Sequence, residues 1–188
     1  NLSACTIGIA YGWTSTVIPT FQDANNTLDI ESMSDNEISW LSSTMPLSQL
    51  IILPFASYLC ERFGRKNIAL VEAVGFSISW ILKLFPKNFY VLIAAQALTG
   101  ISDSLCSLII PLYVTEIASD GIRGQLGSLY SFGVQGGYLA VMVLATVLPY
   151  DILTGCALIV PLLHFLGMYL LPETPVYLIR KKRNDQAK

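Results

Sequence analysis

The chain has 188 residues, of which 53% are hydrophobic and 13% are charged, and its net charge at pH 7 is −2. Soluble domains carry about 25% charged residues, so this composition argues against a water-soluble globular protein. It favours a protein embedded in a lipid bilayer.

Six apolar segments follow one another along the chain. Each is close to, or longer than, the roughly 20 residues that cross the hydrocarbon core of a bilayer. They cover residues 2–21, 38–60, 67–85, 89–118, 125–148 and 152–171. We therefore predict an all-α membrane protein with six transmembrane helices.

The connection between the first two segments, residues 19–37, contains five acidic residues and neither Lys nor Arg. It also contains Asn25-Asn26-Thr27, the acceptor sequence for N-linked glycosylation. Glycosylation of this kind marks a surface loop on the outer side of a membrane protein. We therefore place this connection outside the cell and predict a glycan on Asn25.

The second connection carries the hexapeptide Glu61-Arg62-Phe63-Gly64-Arg65-Lys66, in which Gly64 permits a chain reversal that a side chain would hinder. Lys and Arg near the ends of membrane helices follow the cytoplasmic side. With both chain ends on that side, nine of the eleven Lys and Arg residues are cytoplasmic, and the outer connections keep Lys83 and Lys87. We predict a multi-pass plasma-membrane protein with both ends in the cytoplasm.

Three stretches resemble motifs of a known family. The hexapeptide is similar to the motif between helices two and three of the major facilitator superfamily. Pro111-Leu112-Tyr113-Val114-Thr115-Glu116, followed by Gly121-Ile122-Arg123-Gly124, resembles the junction of helices four and five in its sugar porter branch. Pro172-Glu173-Thr174-Pro175 resembles the motif that closes helix six there. The resemblance covers the whole chain in order and spacing.

The resemblance implies the N-terminal bundle of a twelve-helix major facilitator fold, built as an inverted 3+3 repeat. Residues 1–175 would form the bundle and residues 176–188 the start of a cytoplasmic linker, with the C-terminal six-helix half absent. Gly12-Trp13-Thr14-Ser15 and the Pro172 motif look most like the insect facilitated trehalose transporter group. Three departures from the family pattern are Glu61 in place of Asp, Ser57 in place of Gly, and Val176 in place of Arg.

In the family these motifs form a charge network that holds the inner helix ends together in the outward-open state. The alternative is that the cations only set the topology and that Glu116 is solvated. By resemblance, the gating charge network would comprise Glu61, Arg62, Gly64, Arg65, Glu116, Arg123, Gly124 and Glu173.

Proton-coupled sugar porters resemble one another in an acid in helix one and an arginine in helix four, and the matching positions here are Thr14 and Gln96. Loss of only the acid or only the arginine would leave a costly unbalanced charge in the membrane, so the absence of both is self-consistent. The absence of this ion pair favours facilitated diffusion over proton-coupled transport. Asp103 lies seven residues after Gln96, on nearly the same face of helix four, and it leaves proton-coupled transport open as an alternative. It would either carry a proton or be satisfied by Ser102, Ser107 or another helix.

A sugar pathway needs hydrogen-bonding groups beside apolar surface in the middle of the membrane. Helix five offers Ser131, Gln135 and Tyr138 on one face, and Gly133, Gly136 and Gly137 would allow close helix approach. Interhelical hydrogen bonds are an alternative role for each polar residue. The predicted substrate-binding residues are Thr14, Ser15, Gln49, Gln96, Asp103, Ser131, Gln135 and Tyr138.

We therefore predict transport of a sugar, such as trehalose or glucose, by alternating access and facilitated diffusion. The open alternatives are a proton-coupled sugar symporter and a non-transporting sugar sensor of the same fold. Ser77 and His164 would be the pair of an intramembrane serine protease, but the turn at Ser77 lacks a second glycine, and we expect His164 to be a packed core residue. We predict no enzyme activity, no metal, no cofactor and no nucleic-acid partner.

Overall fold

The computed structural model of the chain describes residues 2–23, 32–117 and 121–171, apart from the side chains of Thr115, Ile117 and Arg123. These residues form six helices in chain order. They are α1 (Leu2–Gln22), α2 (Asp35–Phe63), α3 (Arg65–Leu84), α4 (Phe89–Ile117), α5 (Arg123–Ala145) and α6 (Tyr150–Leu170). Asn25, the Pro172 motif with Glu173, and the predicted linker lie outside the described residues.

The predicted segments match the helices to within three residues at every end. Five helices in the described part of the chain, α2 to α6, are long and apolar enough to cross a membrane. The remaining helix, α1, has 21 residues but carries a polar run at its centre, Thr14 to Thr16. The all-α, six-helix prediction is confirmed, and one residue of this polar run, Thr14, belongs to the candidate site described below.

Local sequence explains both ends of α2. The Ser34 hydroxyl accepts a hydrogen bond from the backbone N–H of Glu37, whose side chain accepts one from the Ser34 N–H, which is a capping box. At the other end, Gly64 has φ 94° and its N–H donates to the Cys60 carbonyl at 3.2 Å. A side chain is disfavoured at that φ, so glycine is required there. The charged residues predicted as a loop are helical, and Gly64 alone joins α2 to α3.

The packing of the helices has an internal symmetry. The closest neighbours are α1 with α5, α2 with α4, α3 with α4, α3 with α6, and α1 with α6. Exchanging the first three helices with the last three converts the α1–α5 pair into α4–α2 and the α3–α4 pair into α6–α1. Since α1 and α4 cross the bundle in opposite directions, the two triplets form an inverted repeat, as predicted.

The largest core cluster of the described residues contains a group of aromatic rings in the half of the bundle away from Gly64. The Trp13 ring packs edge-on against Trp80 at a centroid distance of 5.8 Å and lies 5.8 Å from Tyr150. Lys83 is fully buried in this cluster, with Nζ 4.7 Å from each of the two tryptophan ring centroids. Its ammonium group also donates to Thr99 Oγ1 at 3.0 Å. The prediction that Lys83 lies in an outer connection is therefore wrong.

The placement of Lys83 has a physical cause. Tryptophan faces attract cations, and the attraction grows to about 2 kcal/mol or more per ring when water is excluded. Two rings and a hydroxyl acceptor together replace the water that the ammonium group would otherwise bind. Charge counting treats every lysine near a helix end as solvated, so it does not detect this arrangement.

Glycine sets the distance between α1 and α5. A Cβ atom on Gly137 would collide with the backbone carbonyl of Cys5, and one on Gly8 would collide with the carbonyl of Val134. Nothing lies within 4 Å of a Cβ placed on Gly136, which faces outward. The predicted role in close helix approach is thus confirmed for Gly137, whereas no described helix lies near Gly136 and its role stays a prediction.

The outer surface of the bundle is apolar. Leu50, Phe132, Leu139 and Leu170 have exposed fractions of 67%, 74%, 64% and 76%. Such a surface is unfavourable in water and favourable against lipid chains or a second apolar bundle. It agrees with a multi-pass membrane protein.

Candidate substrate pathway and charge network

Tyr11 links three helices inside the bundle. Its hydroxyl lies 3.1 Å from Oδ2 of Asp103 on α4 and 3.3 Å from Oε1 of Gln49 on α2, so it can donate to either acceptor. Asp103 is 1% exposed, whereas Tyr11 is 38% exposed. The hydroxyl therefore carries a polar contact from the surface of the bundle to a buried carboxyl group.

A second polar contact joins α1 to α4. Nε2 of Gln96 donates to the Thr14 hydroxyl at 2.9 Å, and that hydroxyl donates to the carbonyl of Ala10 at 3.0 Å. Gln96 is fully buried, and its Oε1 accepts no hydrogen bond from the described residues. A buried acceptor without a donor is unfavourable, so Gln96 keeps capacity for one more hydrogen bond.

These contacts form one continuous feature, which we call the polar stripe, because helix periodicity places their members on shared faces. Tyr11 and Thr14 are three residues apart on α1, and Gln96 and Asp103 are seven apart on α4. Apolar helices enclose the stripe, so its hydroxyl, amide and carboxyl groups are the features able to recognise a polar solute within the membrane. The polar stripe consists of Tyr11, Thr14, Gln49, Gln96 and Asp103.

The structure brings four predicted substrate-binding residues into the polar stripe, namely Thr14, Gln49, Gln96 and Asp103. The other four lie elsewhere. Ser15 is exposed and donates to the carbonyl of Tyr11 at 3.3 Å, which satisfies it within α1. On α5, Ser131 and Gln135 are exposed and Tyr138 is half-buried.

Of the three α5 residues predicted to bind substrate, Tyr138 is the one that approaches α1. Its Cδ2 atom lies 3.4 Å from the position of a Cβ on Gly12, two residues before Thr14. The tyrosine ring therefore lies against α1 close to the polar stripe, and the absence of a side chain at Gly12 leaves room for Val141 of α5, whose Cγ1 atom a Cβ there would meet. Ser131 and Gln135 stand on the same helix but face away from the described residues.

An ion pair closes the bundle at the Gly64 end. Nε and Nη2 of Arg65 both donate to Oε1 of Glu116, at 3.2 and 3.0 Å. The two side chains are 4% and 10% exposed. The pair joins the start of α3 to the end of α4 in a largely dehydrated setting, where opposite charges attract more strongly than on the surface.

Other predicted members of the charge network surround this ion pair. Glu61 lines a groove of about 510 Å³ together with Arg65 and Glu116. Arg62 is exposed, and its Nη1 donates to the Tyr58 hydroxyl at 2.9 Å. Gly124 is exposed in the first turn of α5. The Arg123 side chain and Glu173 lie outside the described part of the chain, so their membership of the network stays a prediction.

Sequence patterns missed three features of the interior. Tyr11 was detectable, because it precedes Thr14 by three residues on the same helix face. Lys83 and the contact between Glu72 and His164, whose Oε1 and Nδ1 atoms are 3.5 Å apart, join different helices and have no local signature. His164 is buried, as predicted. The Ser77 hydroxyl donates to the carbonyl of Ala73 at 2.8 Å, so it is used within its own helix.

Six helices with an apolar outer surface, an internal polar stripe and an ion pair at one end define a multi-pass membrane protein of the transporter class. The chain belongs to the sugar (and other) transporter family, whose model matches residues 1–188. The resemblance to the sugar porter branch of the major facilitator superfamily is thereby confirmed.

Named relatives agree with this family. The chain is 32% identical over 189 residues to the facilitated trehalose transporter Tret1 of Bombyx mori, a match that covers 100% of the chain and 36% of the relative. It is 29% identical over 188 residues to Tret1 of Culex quinquefasciatus, again covering 100% of the chain and 36% of the relative. The chain therefore spans about a third of the length of these curated relatives, which are named as transporters and not as enzymes.

Solved structures of major facilitator proteins share the fold. A partially occluded inward-open form of the xylose transporter XylE from E. coli matches with a TM-score of 0.84 and 21% identity, covering 99% of this chain and 51% of that one. XylE bound to 6-bromo-6-deoxy-D-glucose, a proton:xylose symporter, matches with a TM-score of 0.81 and 20% identity, covering 98% and 46%. The described helices correspond to the N-terminal half of such transporters.

Proposed function

We propose that the protein transports a sugar across the membrane by alternating access, with this six-helix bundle rocking against a second bundle. The observation that carries the proposal is the polar stripe, in which Tyr11 and Gln96 offer hydrogen-bonding groups within a membrane-spanning bundle of a transporter family. Sugar hydroxyl groups both donate and accept hydrogen bonds, so they match a mixture of amide, hydroxyl and carboxyl partners.

Facilitated diffusion of trehalose or glucose is the favoured mode. Thr14 and Gln96 pair with each other as neutral groups, so no ion pair between these positions has to be broken during the transport cycle. The similarity to proteins named as facilitated trehalose transporters supports the same mode. We further propose that residues 1–175 form one bundle, that residues 176–188 begin a cytoplasmic linker, and that the second six-helix bundle completes the cavity.

The Arg65–Glu116 pair would then act as a latch at the cytoplasmic end. Its oxygen acceptor is shared by two donors, and the adjoining groove reaches Glu61. Closing the latch stabilises the outward-open state, and opening it hydrates both charges, which keeps the two states close in free energy. We also propose that the protein lies in the plasma membrane with both ends in the cytoplasm, an orientation that the charge distribution of the connections supports.

The second candidate function is proton-coupled sugar symport. It is favoured by Asp103, an almost fully buried carboxyl group that accepts a hydrogen bond from Tyr11. The test is uptake of labelled trehalose and glucose into oocytes that express the full-length protein, with and without a proton gradient. Equilibration without accumulation supports facilitated diffusion, whereas gradient-driven accumulation that Asp103→Asn abolishes supports symport. Binding of sugar without uptake would identify a sensor and refute both.

A further inference from the structure

Two titratable side chains meet inside the bundle outside the polar stripe and the ion pair. Glu72 of α3 is fully buried, and His164 of α6 is 6% exposed. Nδ1 of His164 lies 3.5 Å from Oε1 of Glu72. Among the described residues, the carboxyl oxygens of Glu72 make no well-formed hydrogen bond, although the weakly donating thiol of Cys106 lies beside them, and His164 Nδ1 has no hydrogen-bond partner.

Among the described residues, His164 is the group in contact with Glu72 that can carry a compensating positive charge. The titratable groups that face Glu72 from α4 are Cys106 and Asp103, and Ser3 of α1 lies beside Cys106. An isolated carboxylate in the interior would lose several kcal/mol of solvation free energy. One proton held between Glu72 and His164 removes the imbalance, either as a carboxyl O–H that donates to Nδ1 or as an imidazolium N–H that donates to Oε1.

A cavity borders the pair on one side. His164 lines a cavity of about 290 Å³ between α1, α4 and α6, together with Ser3, Tyr113 and Leu171. Ser3 lies near the start of α1 and Leu171 just past the end of α6, so the cavity belongs to the Gly64 end of the bundle.

On its other side the pair approaches the polar stripe. Asp103 precedes Cys106 by three residues and so lies on the same face of α4 as the thiol beside Glu72, and its Oδ2 accepts a hydrogen bond from Tyr11. Two carboxyl groups that influence each other in a low-dielectric interior are coupled, because a charge on one raises the free energy of a charge on the other. A proton gained or lost at Glu72 therefore changes the electrostatic field at the polar stripe.

We propose that Glu72 and His164 form a proton-binding site, loaded from the cavity at the Gly64 end and linked through Asp103 to substrate binding in the polar stripe. In the loading step an O–H bond of a hydronium ion in the cavity breaks, an N–H or O–H bond forms on the pair, and a water molecule remains. Ionisable residues within membrane helices commonly serve such proton relays. The link to substrate binding rests on the sugar transport proposed above, whereas the proton site itself does not.

Infrared difference spectroscopy tests the proton site directly. The full-length protein in lipid nanodiscs would be stepped between acidic and alkaline pH, and the C=O stretching band of protonated carboxyl groups recorded. Loss of one such band in Glu72→Gln and its retention in the matched control Asp103→Asn support the site, and His164→Gln should shift the pH at which this band titrates. An unchanged band in Glu72→Gln would overturn the proposal. Should that variant not fold, Glu72→Asp should shift the band frequency, and an unshifted band would count against the site equally.

Uptake into proteoliposomes tests the linkage. We expect sugar uptake by the wild-type protein to change with pH and Glu72→Gln to lose that dependence. A pH dependence that survives in Glu72→Gln would overturn the linkage. The two proposals are distinguishable, because failure of the wild-type protein to move sugar refutes the transport function alone, while intact uptake without the Glu72 band refutes the proton site alone.

Discussion

The Arg65–Glu116 ion pair permits a quantitative test through the substitution Glu116→Gln. Two Arg65 donors share the single acceptor Oε1, and the side chains are only 4% and 10% exposed. The substitution removes the negative charge while keeping the size of the side chain and one oxygen acceptor. It therefore separates the effect of charge from the effect of packing.

The burial of the pair decides the expected magnitude. An exposed ion pair contributes about 0–1 kcal/mol, whereas removing one partner of a buried pair costs about 3–5 kcal/mol because the other charge is left uncompensated. Since glutamine retains one acceptor, the lower end of the buried range applies. We expect the free energy of unfolding to fall by about 3 kcal/mol, which is about a 100-fold change in the ratio of folded to unfolded protein.

Equilibrium unfolding in mixed micelles, followed by circular dichroism as the fraction of denaturing detergent increases, measures this change. The matched control is Lys87→Gln, which neutralises an exposed charge between α3 and α4 and should leave stability within about 0.5 kcal/mol of wild type. If Glu116→Gln cost less than about 1 kcal/mol, the pair would behave as a surface ion pair and the argument from burial would be refuted.

Three further outcomes are expected. Gly137→Ala should destabilise the protein by about 1–3 kcal/mol, because the new methyl group meets the backbone of α1. The matched control, Gly136→Ala, should be neutral or stabilising by up to about 1 kcal/mol. Equal effects of the two substitutions in thermal unfolding would contradict the close approach of α1 and α5. Tyr11→Phe should raise the KM for sugar uptake by about tenfold through loss of a hydrogen bond of about 1.4 kcal/mol. An unaltered KM would exclude the hydroxyl from substrate recognition. Phe63→Cys, in a background without the native cysteines, should resist an impermeant thiol reagent on intact cells and react after permeabilisation; labelling of intact cells would reverse the predicted orientation.

The substrate side of the protein was only partly predictable from sequence. Thr14 and Gln96 were proposed because the resemblance matches them to the positions of a charged pair in proton-coupled sugar porters, and the structure joins the two residues directly at 2.9 Å. Ser131 and Gln135 share a helix face, as periodicity predicts, but that face is not covered by the described helices. Periodicity fixes which residues of one helix lie together, and it does not fix which neighbour they meet.

The sequence by itself determined the number of helices, their ends, the turn at Gly64 and the family. Each of these depends on local quantities, namely the length of an apolar run, the capping residues, the φ angle that glycine allows and the order of short motifs. Tertiary structure alone decided that the Lys83 ammonium group lies between the rings of Trp13 and Trp80 and that Glu72 contacts His164. These contacts join residues far apart in the chain, and burial turns groups that would be solvated in isolation into paired or uncompensated charges, so their roles arise only once the helices pack.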